Sequence, residues 1–555
     1  MNSVFVVLIS MLWFLLAYIF YGNLIQNKVW RLDLFKKTPA VEQHDGRDFV
    51  AAKHWTILFG HHFSSIAGAG PIIGPVIACA LYGWLPAFLW VIFGAVFLGG
   101  MHDFSALVLS LRHSGTTVGN VTEHVISRRS RLVFSIFLWL ALILVVAVFA
   151  AVTAQTLISE PKIVVPTFSL VAIAILFGLM VYRFSTPQWL ATIICVFLMG
   201  LSIWIGMYLP IQLSSSAALK IWILVLLLYA FVASIVPVHI LLQPRDYLSV
   251  FILLFGLVLG YLGIFLTQPT IKTPAFVQFK SNEGTLWPVM FVLIACGAIS
   301  GFHSLIASGT TSKQLPQKRH AKVVALGGML LEGALAVMAI IAVCAGLSWY
   351  GNNTQTNLYP ALIKSSGWIV TFGKGYGELV KPMVGVTGGT LIAIFILNGF
   401  VMTTLDSATR ICRYITEELF GDALGISFLR NRYAATLFVV ILALILALGY
   451  WKAIWPVFGA SNQLIAALVL LVATVYLFQK GQPTIYTFIP AIFMTVTTAA
   501  ALVYEIISFW QQRKILLAVI AAILLLLALD MIIEASKALF RIHQNKILKK
   551  KDKCA

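Results

Sequence analysis

Residues 54–75 read His-Trp-Thr-Ile-Leu-Phe-Gly-His-His-Phe-Ser-Ser-Ile-Ala-Gly-Ala-Gly-Pro-Ile-Ile-Gly-Pro, an apolar stretch of membrane-spanning length with glycines and prolines at its centre. The glycines free the backbone, and the prolines remove amide hydrogens that a helix would use. Backbone groups freed at membrane depth must be satisfied by protein, water, an ion or a ligand. We therefore expect a broken helix whose second half points its N-terminus at an anionic group of a bound substrate. A close-packed, kinked helix is the alternative interpretation.

The composition of the whole chain is that of a membrane protein. Of its 555 residues, 60% are hydrophobic and 10% are charged, whereas roughly a quarter are charged in soluble domains. The apolar runs are long and do not alternate, which favours helices over a β-barrel. We predict an all-α polytopic protein with fifteen spans, near 3–21, 55–84, 86–111, 132–158, 163–182, 189–208, 218–241, 246–267, 287–310, 321–350, 383–409, 433–450, 453–479, 484–508 and 515–540.

The charge of the loops predicts the orientation in the membrane. If the N-terminus is outside, the cytoplasmic loops and tail hold 27 Lys and Arg and the exterior loops hold 10. Because cytoplasmic loops carry the excess of basic residues, we expect the N-terminus outside and the C-terminus inside. The same distribution explains the 38 Lys and Arg against 19 Asp and Glu without nucleic-acid binding.

The order of the spans predicts an inverted repeat. The second to sixth spans form a group of five that ends on the side where the seventh to eleventh begin, which is the topology of many secondary transporters. We predict five parts: an extra helix and cytoplasmic loop (1–53), a first repeat (54–208), a second, inverted repeat (218–413), a four-helix extension (432–541) and a basic cytoplasmic tail (542–555).

Several polar residues lie inside these spans. A carboxylate within the membrane costs about 2.5 to 3.5 kcal/mol on insertion scales, so Asp103 should face a cavity or a partner. His61, His62 and His303 can carry protons near neutral pH, although structural hydrogen bonding is the alternative for each. We expect a second, weaker interruption at 234–239, as an unwound site or a simple proline kink.

Hydroxyl groups and charges near the ends of two other spans allow further predictions. The hydroxyls in 307–313 can coordinate a small cation or cap a helix end. Asp406 and Arg410 are four residues apart on a helix, which predicts a structural ion pair. The six cysteines have no paired spacing, so we expect neither disulfides nor a zinc site.

Several motifs closely resemble those of the carbon starvation protein A family. They are Phe59-Gly-His-His-Phe-Ser-Ser-Ile-Ala-Gly-Ala-Gly-Pro-Ile-Ile-Gly-Pro75, Gly100-Met-His-Asp103, Ile294-Ala-Cys-Gly-Ala-Ile-Ser-Gly-Phe-His-Ser304, Ser308-Gly-Thr-Thr-Ser-Lys-Gln314, Leu405-Asp-Ser-Ala-Thr-Arg410 and Phe458-Gly-Ala-Ser-Asn-Gln463. The resemblance implies a transporter of the bacterial cytoplasmic membrane with an inverted five-helix-repeat, leucine-transporter-like fold. It also implies ion-coupled uptake of peptides or of pyruvate under nutrient limitation.

These observations lead to one set of functional predictions. We expect a secondary transporter that imports small nutrients, with peptides first and pyruvate or another small carboxylate second. We expect no catalytic residue, no metal and no cofactor, with H⁺ or Na⁺ as coupling ion, and the bilayer and the substrate as partners. A passive channel, a sensory membrane protein and a histidine-ligated membrane metalloenzyme are the alternatives. The predicted sites are substrate binding by Ser64, Ser65, Gly68, Gly70, Pro71, Gly74 and His303, proton coupling by His61, His62 and Asp103, and ion binding by Ser308, Thr310 and Thr311.

Overall fold

The chain forms a bundle of membrane-length helices, which confirms the predicted all-α polytopic fold. The computed structural model describes residues 1–213, 217–351 and 358–551, and fourteen helices in these ranges are long and apolar enough to cross a membrane. The helices are α1 (Ser3–Val29), α2 (Trp55–Ala67), α3 (Gly70–Tyr82), α4 (Trp84–Arg112), α5 (Val118–Val125), α6 (Arg128–Ser159), α7 (Pro161–Arg183), α8 (Gln188–Tyr208), α9 (Ala218–Ile235), α10 (Leu242–Thr267), α11 (Phe291–Leu293 with the preceding turn Leu286–Met290), α12 (Gly301–Gly309), α13 (Lys318–Gly346), α14 (Tyr359–Ala423), α15 (Arg432–Gln479), α16 (Ile485–Gln511) and α17 (Ile515–Lys551).

Two short strands, β1 (Lys280–Ser281) and β2 (Gly284–Thr285), pair antiparallel in the loop before α11. Helices α2 and α3 together make one span, and α15 makes two, Arg432–Gly449 and Val457–Gln479. A short helix, Pro39–Glu42, lies in the loop between α1 and α2.

Two of the predicted spans differ from the structure. The segment 287–310 is not one helix, because α11 ends at Leu293 and α12 begins at Gly301. The span near 383–409 is part of the much longer α14, which turns sharply at Gly367 and Gly385, both with positive φ.

The expected interruption at 234–239 is the end of a helix. Helix α9 ends at Ile235, Val236 is extended and α10 begins at Leu242. The cause is local, since a residue that precedes proline avoids helical angles and Pro237 follows Val236. The second discontinuous span is therefore 286–309, where Gly297 in the middle of the non-helical segment and Gly301 directly after it weaken the helix.

The broken helix formed by α2 and α3 lies in the centre of the bundle. In an apolar stretch of 18 residues in this span, 83% of the residues are buried. The corresponding share is 89% in α13 and in Val457–Gln479. In α8, only 28% of the residues of such a stretch are buried, and large apolar side chains such as Phe197 are exposed. An apolar exposed surface of this kind suits contact with lipid, whereas the polar residues of the central spans are shielded from it.

The loops lie on two opposite faces of the bundle. One face of the bundle, here called the basic face, is formed by the connecting segments 30–54, 113–127 (which includes α5), 310–317 and 424–431. Contacts such as the hydrogen bond from Ala52 N–H to the Gln314 carbonyl join these segments. The loop 268–285 covers the other face, where Ile271 N–H donates to the Met1 carbonyl. Helix α17 starts on that face and passes Arg129 near the basic face through an Arg129–Asp530 ion pair. Met1 and the part of α17 that follows Asp530 therefore lie toward opposite faces.

Candidate functional site

The two discontinuous helices lie side by side. Gly68, with φ +43°, separates α2 from α3, so the predicted break is present. A Cβ on Gly70 would lie 2.3 Å from the Sγ of Cys296, and one on Gly74 would lie 2.3 Å from the Leu293 carbonyl oxygen. Only glycine permits this approach, so Gly70 and Gly74 contact the second break instead of facing an open space. Pro71, in the first turn of α3, lies against Gly297 of that break.

Side chains from neighbouring helices hydrogen-bond to the freed backbone of these breaks. Asn462 accepts a bond from Phe302 N–H at 2.8 Å and donates to the Ser300 hydroxyl at 2.9 Å. Trp90 Nε1 donates to the Ile294 carbonyl at 3.1 Å, and the Thr404 hydroxyl donates to the Ser65 carbonyl at 3.1 Å. These contacts hold irregular backbone inside the bundle, as a lipid environment requires. The sequence assigned no role to Asn462, although it lies in one of the quoted motifs.

His61 belongs to a buried network with the first turns of α10. Its Nδ1 lies 2.5 Å from Asp246 Oδ2, and its Nε2 lies 3.1 Å from the Thr310 hydroxyl. The Ser64 hydroxyl donates to the Asp246 carbonyl at 3.0 Å, and the Ser65 hydroxyl lies 3.4 Å from the Asp246 carboxylate. Sequence reasoning missed Asp246. The polar run 243–246 at the start of an apolar helix was the available signal.

Asp406 pairs with a different arginine from the one predicted. Its Oδ2 accepts hydrogen bonds from Arg245 Nη1 and, at 2.7 Å, from the Tyr229 hydroxyl. Arg410 instead lies 3.0 Å from Asp48 Oδ1. The predicted Asp406–Arg410 ion pair is therefore wrong, because each side chain finds a partner on another element.

A second buried network, here called the His303 cluster, consists of His62, His102, Asp103, His303 and Glu332. His303 Nδ1 lies 2.9 Å from one Asp103 carboxylate oxygen, and His102 Nδ1 lies 2.8 Å from the other. His303 Nε2 lies 3.2 Å from Glu332 Oε2. All five side chains are fully buried. The described residues nevertheless include no group of three or more His, Cys, Asp or Glu that could hold a metal ion.

The predicted ion-binding hydroxyls do not converge on one point. Thr310 contacts His61, and the Thr311 hydroxyl lies 2.8 Å from His62 Nδ1. The Ser308 hydroxyl donates to the Ser304 carbonyl at 2.7 Å. The two threonines thus hold the adjacent histidines in separate networks, because neighbouring residues on a helix point about 100° apart. Ion binding at these three hydroxyls stays a prediction.

A cavity of about 520 Å³ adjoins α3 on the face opposite the basic loops. It lies between α3, the end of α6, the start of α9 and the sharp turn at Gly367, and its described lining residues include no Asp, Glu, Lys or Arg. The lining residues are Ile73, Ile77, Val152, Gln155, Ile158, Ser159, Leu219, Ser366, Gly367, Trp368, Ile369 and Trp455. It leads toward the helix break, since Ile73 is in the first turn of α3.

On the basic face, charged side chains fasten the loop before α2 to α14. Asp48 contacts Arg410 at 3.0 Å and Arg413 at 3.7 Å, and it accepts a hydrogen bond from Tyr414 at 2.6 Å. Burial alone would raise the pKa of the Asp48 carboxyl, but the two guanidiniums and the Tyr414 hydroxyl lower this pKa below its usual value. The contact is therefore present at neutral pH and is lost only as the pH falls through that lowered pKa. We call this group the Asp48 latch.

The sequence matches a known family over nearly its whole length. Residues 2–357 and 347–501 match the family described as Carbon starvation protein CstA. A relative from Campylobacter jejuni, named a peptide transporter, is 31% identical over 93% of this chain and 82% of its own. A relative from Escherichia coli, named a pyruvate/proton symporter, is 30% identical over 91% of this chain and 82% of its own.

Solved structures with low sequence identity share the fold. A manganese transporter from Eremococcus coleocola aligns with a TM-score of 0.54 at 13% identity, covering 90% of this chain and 99% of its own. MhsT in complex with L-phenylalanine aligns with a TM-score of 0.50 at 11% identity, covering 87% of this chain and 99% of its own. At these identities the likeness concerns the architecture alone.

Proposed function

The chain belongs to the carbon starvation protein CstA family, and from this premise we propose that it is an ion-coupled secondary active transporter. It imports small nutrients across the bacterial cytoplasmic membrane in response to carbon starvation. Peptides are the first candidate substrate, since relatives from Campylobacter jejuni and Escherichia coli are named peptide transporters. Pyruvate or another small carboxylate is the second, since a further relative is named a pyruvate/proton symporter.

The observation that carries this proposal is the pair of helix breaks that meet at the centre of the bundle. Broken helices in a membrane expose backbone dipoles where a substrate or ion can contact them, and helix N-termini favour anionic groups. The N-terminus of α3 at Gly70 lies beside the non-helical segment 294–300. We propose that the substrate carboxylate reaches this N-terminus when the two breaks separate, with Gly68, Ser64 and Ser65 on the α2 side.

The packing of the breaks supports an inverted repeat with revised bounds. In the first half, α2 packs closely on α10, where a Cβ on Gly60 would lie 3.0 Å from Tyr247 Cα. In the second half, α12 packs in the same way on Val457–Gln479, where a Cβ on Gly301 would lie 2.2 Å from the Asn462 carbonyl oxygen. We therefore pair 55–267 with 286–479, each with a broken first helix, instead of 54–208 with 218–413. Helices α7 and α8 are then an insertion in the first repeat, and 359–385 an insertion in the second.

The two faces of the bundle supply the two access routes that alternating access needs. We propose that the basic face is cytoplasmic, which puts the N-terminus outside and the C-terminus inside. The 520 Å³ cavity beside α3 is then the outer entrance, and the Asp48 latch closes the inner one. The described lining residues of this entrance carry no charge, and its volume has room for a peptide as well as for a three-carbon acid.

The proposal is tested by uptake into vesicles that contain only the purified chain. Labelled pyruvate, dialanine and trialanine are offered with an imposed proton gradient, with a sodium gradient and with none. Accumulation of any of them above the level reached without a gradient supports the proposal, and absence of all flux contradicts it. Metal analysis of the same preparation tests the histidine-ligated enzyme, which requires stoichiometric iron, copper or zinc.

Proton coupling through His62 and Asp103 makes a separate prediction. We expect Asp103→Asn and His62→Ala to abolish gradient-driven accumulation, because each removes a titratable group from the His303 cluster. The control is His320→Ala, which removes a histidine from the first turn of α13 at the basic face, outside this cluster. Variants that still accumulate substrate at the wild-type rate would exclude these two residues from coupling.

A further inference from the structure

The His303 cluster places two carboxyl groups on one imidazole. Two ring nitrogens lie within hydrogen-bond distance of the Asp103 carboxylate: His102 Nδ1 at 2.8 Å from one oxygen and His303 Nδ1 at 2.9 Å from the other. Within the described residues, neither carboxyl oxygen of Glu332 has a hydrogen-bond partner, and its 3.2 Å contact with His303 Nε2 is poorly aligned. The cluster thus satisfies a charged carboxylate at Asp103, whereas Glu332 has only the poorly aligned His303 Nε2 beside it among the described residues.

The charges of this cluster favour a proton on Glu332. A His303 ring protonated on both nitrogens balances the Asp103 carboxylate, so a second carboxylate would leave an uncompensated negative charge. All the side chains involved are fully buried, and an isolated buried charge is so costly that the group takes up a proton instead. In this arrangement the neutral carboxylic acid is the form of Glu332 that the surroundings tolerate.

The elements around Glu332 contribute a defined set of titratable groups. Helix α2 contributes His62, α4 contributes His102 and Asp103, and α12 contributes His303. Cys296, in the non-helical segment before α12, also interacts electrostatically with Glu332. The Nε2 atoms of His62 and His102 have no hydrogen-bond partner among the described residues. The cluster therefore has nitrogen atoms free to accept or pass a proton.

The position of Glu332 connects it to both helix breaks. It is one turn after Gly328, where a Cβ would lie 3.1 Å from the His62 ring of the first broken helix. His303 is in the first turn of α12, directly after the second break. A movement of α12 relative to α13 would separate His303 from Glu332 and admit water, which stabilises the carboxylate and releases its proton.

We propose that Glu332 is the residue that carries the coupling proton, with His303 and Asp103 as the groups that orient its carboxyl group. This inference rests on the proposed function and deepens it. Glu332 is a carboxyl group to which the sequence assigned no role, and His303 then positions this carboxyl group instead of binding substrate. The proton enters on the Glu332 carboxylate from the outer side and leaves from the carboxylic acid to cytoplasmic water after the helices move.

The test is Glu332→Gln in reconstituted vesicles, because glutamine has the shape of the neutral acid but cannot release a proton. We expect the variant to keep counterflow exchange of labelled for unlabelled substrate and to lose accumulation driven by a proton gradient. The KM of the wild-type protein should rise as the external pH rises, whereas that of Glu332→Gln should not change with pH. The probes are labelled pyruvate, dialanine and trialanine.

Glu505→Gln is the matched control. Glu505 is also a membrane-embedded carboxyl, one of whose oxygens has no hydrogen-bond partner among the described residues, but it lies on α16, outside the cluster. We expect it to accumulate substrate with the wild-type pH dependence.

The outcomes separate the inference from the proposed function. If the wild-type chain moves none of the three probes, the proposed function fails. If the wild type accumulates substrate and Glu332→Gln does so equally, with the same pH dependence, only the role of Glu332 is excluded. If Glu332→Gln does not fold, Glu332→Asp decides, because a shortened acid should keep accumulation with a shifted pH midpoint. An unshifted midpoint, or lost accumulation in a folded Glu332→Asp protein, contradicts the inference.

Discussion

At the scale of single residues, the bundle depends on charges that find partners on distant helices. Arg245 and Asp406 are both about 1% exposed, and they pair across α10 and α14 with Tyr229 as a second donor to the carboxylate. Both charges can remain buried because each neutralises the other. Removing Asp406 leaves Arg245 with only the Asp246 carboxylate at 3.9 Å, and breaking a buried ion pair costs about 3–5 kcal/mol in a protein interior.

We therefore predict that Asp406→Ala strongly lowers the thermal stability of the purified protein in detergent. The matched comparison is Arg430→Ala, which breaks the exposed Arg430–Asp422 pair. Exposed pairs contribute about 0–1 kcal/mol, so its unfolding temperature should stay close to that of the wild type. Equal shifts for the two variants would show that burial does not determine the effect. The readout is a thermal unfolding scan of both variants in the same detergent.

At the scale of elements, the close approach of the two broken helices depends on the absence of side chains. A Cβ on Gly74 would lie 2.3 Å from the Leu293 carbonyl oxygen and 2.9 Å from Ile294 Cα, both of which are backbone atoms that cannot rotate away. A larger residue must separate α3 from α11. This would displace the N-terminus of α3 from the segment to which we assign the substrate.

We predict that Gly74→Ala greatly reduces substrate binding and uptake and lowers stability. Gly200→Ala is the control, because Gly200 is also inside a helix but has no atom within 4 Å of its added Cβ. Replacing an uncrowded helical glycine by alanine should be neutral or slightly stabilising. Uptake and unfolding temperature measured for both variants give the comparison. Normal uptake by Gly74→Ala would show that the contact between the breaks does not matter.

At the scale of the whole molecule, the two faces determine which side of the membrane each loop meets. Ser366 lines the proposed outer entrance, and Arg47 lies in the loop of the Asp48 latch. Both side chains are exposed, whereas the cysteines in the described residues are buried and should react slowly.

We predict that Ser366→Cys is labelled by a membrane-impermeant maleimide in intact cells. Arg47→Cys should be labelled only after the membrane is permeabilised, because the basic face should be cytoplasmic. The wild-type protein gives the background from native thiols. The opposite pattern of labelling would reverse the proposed orientation.

The fold class, the family and the first helix break could be predicted from the residues alone, because each depends on local information. Apolar length fixes the number of spans to within one, and glycine with proline at 68–75 prevents a continuous helix whatever surrounds it. The motifs likewise contained most of the residues of both buried networks. They did not show that His61 and His62 serve different networks, or that Asn462 holds the second break.

The partners of the buried charges were decided only by the tertiary structure. Asp406 pairs with Arg245, at a separation of 161 residues, instead of with Arg410 four residues away. Spacing along one helix shows which pairs can meet, but burial selects the pair that neutralises both charges when distant helices pack together. Tertiary packing also decides the place of the second break, at 294–300. There Asn462 of a neighbouring helix hydrogen-bonds to backbone that the helix leaves unpaired, whereas the proline at 237 only ends a helix.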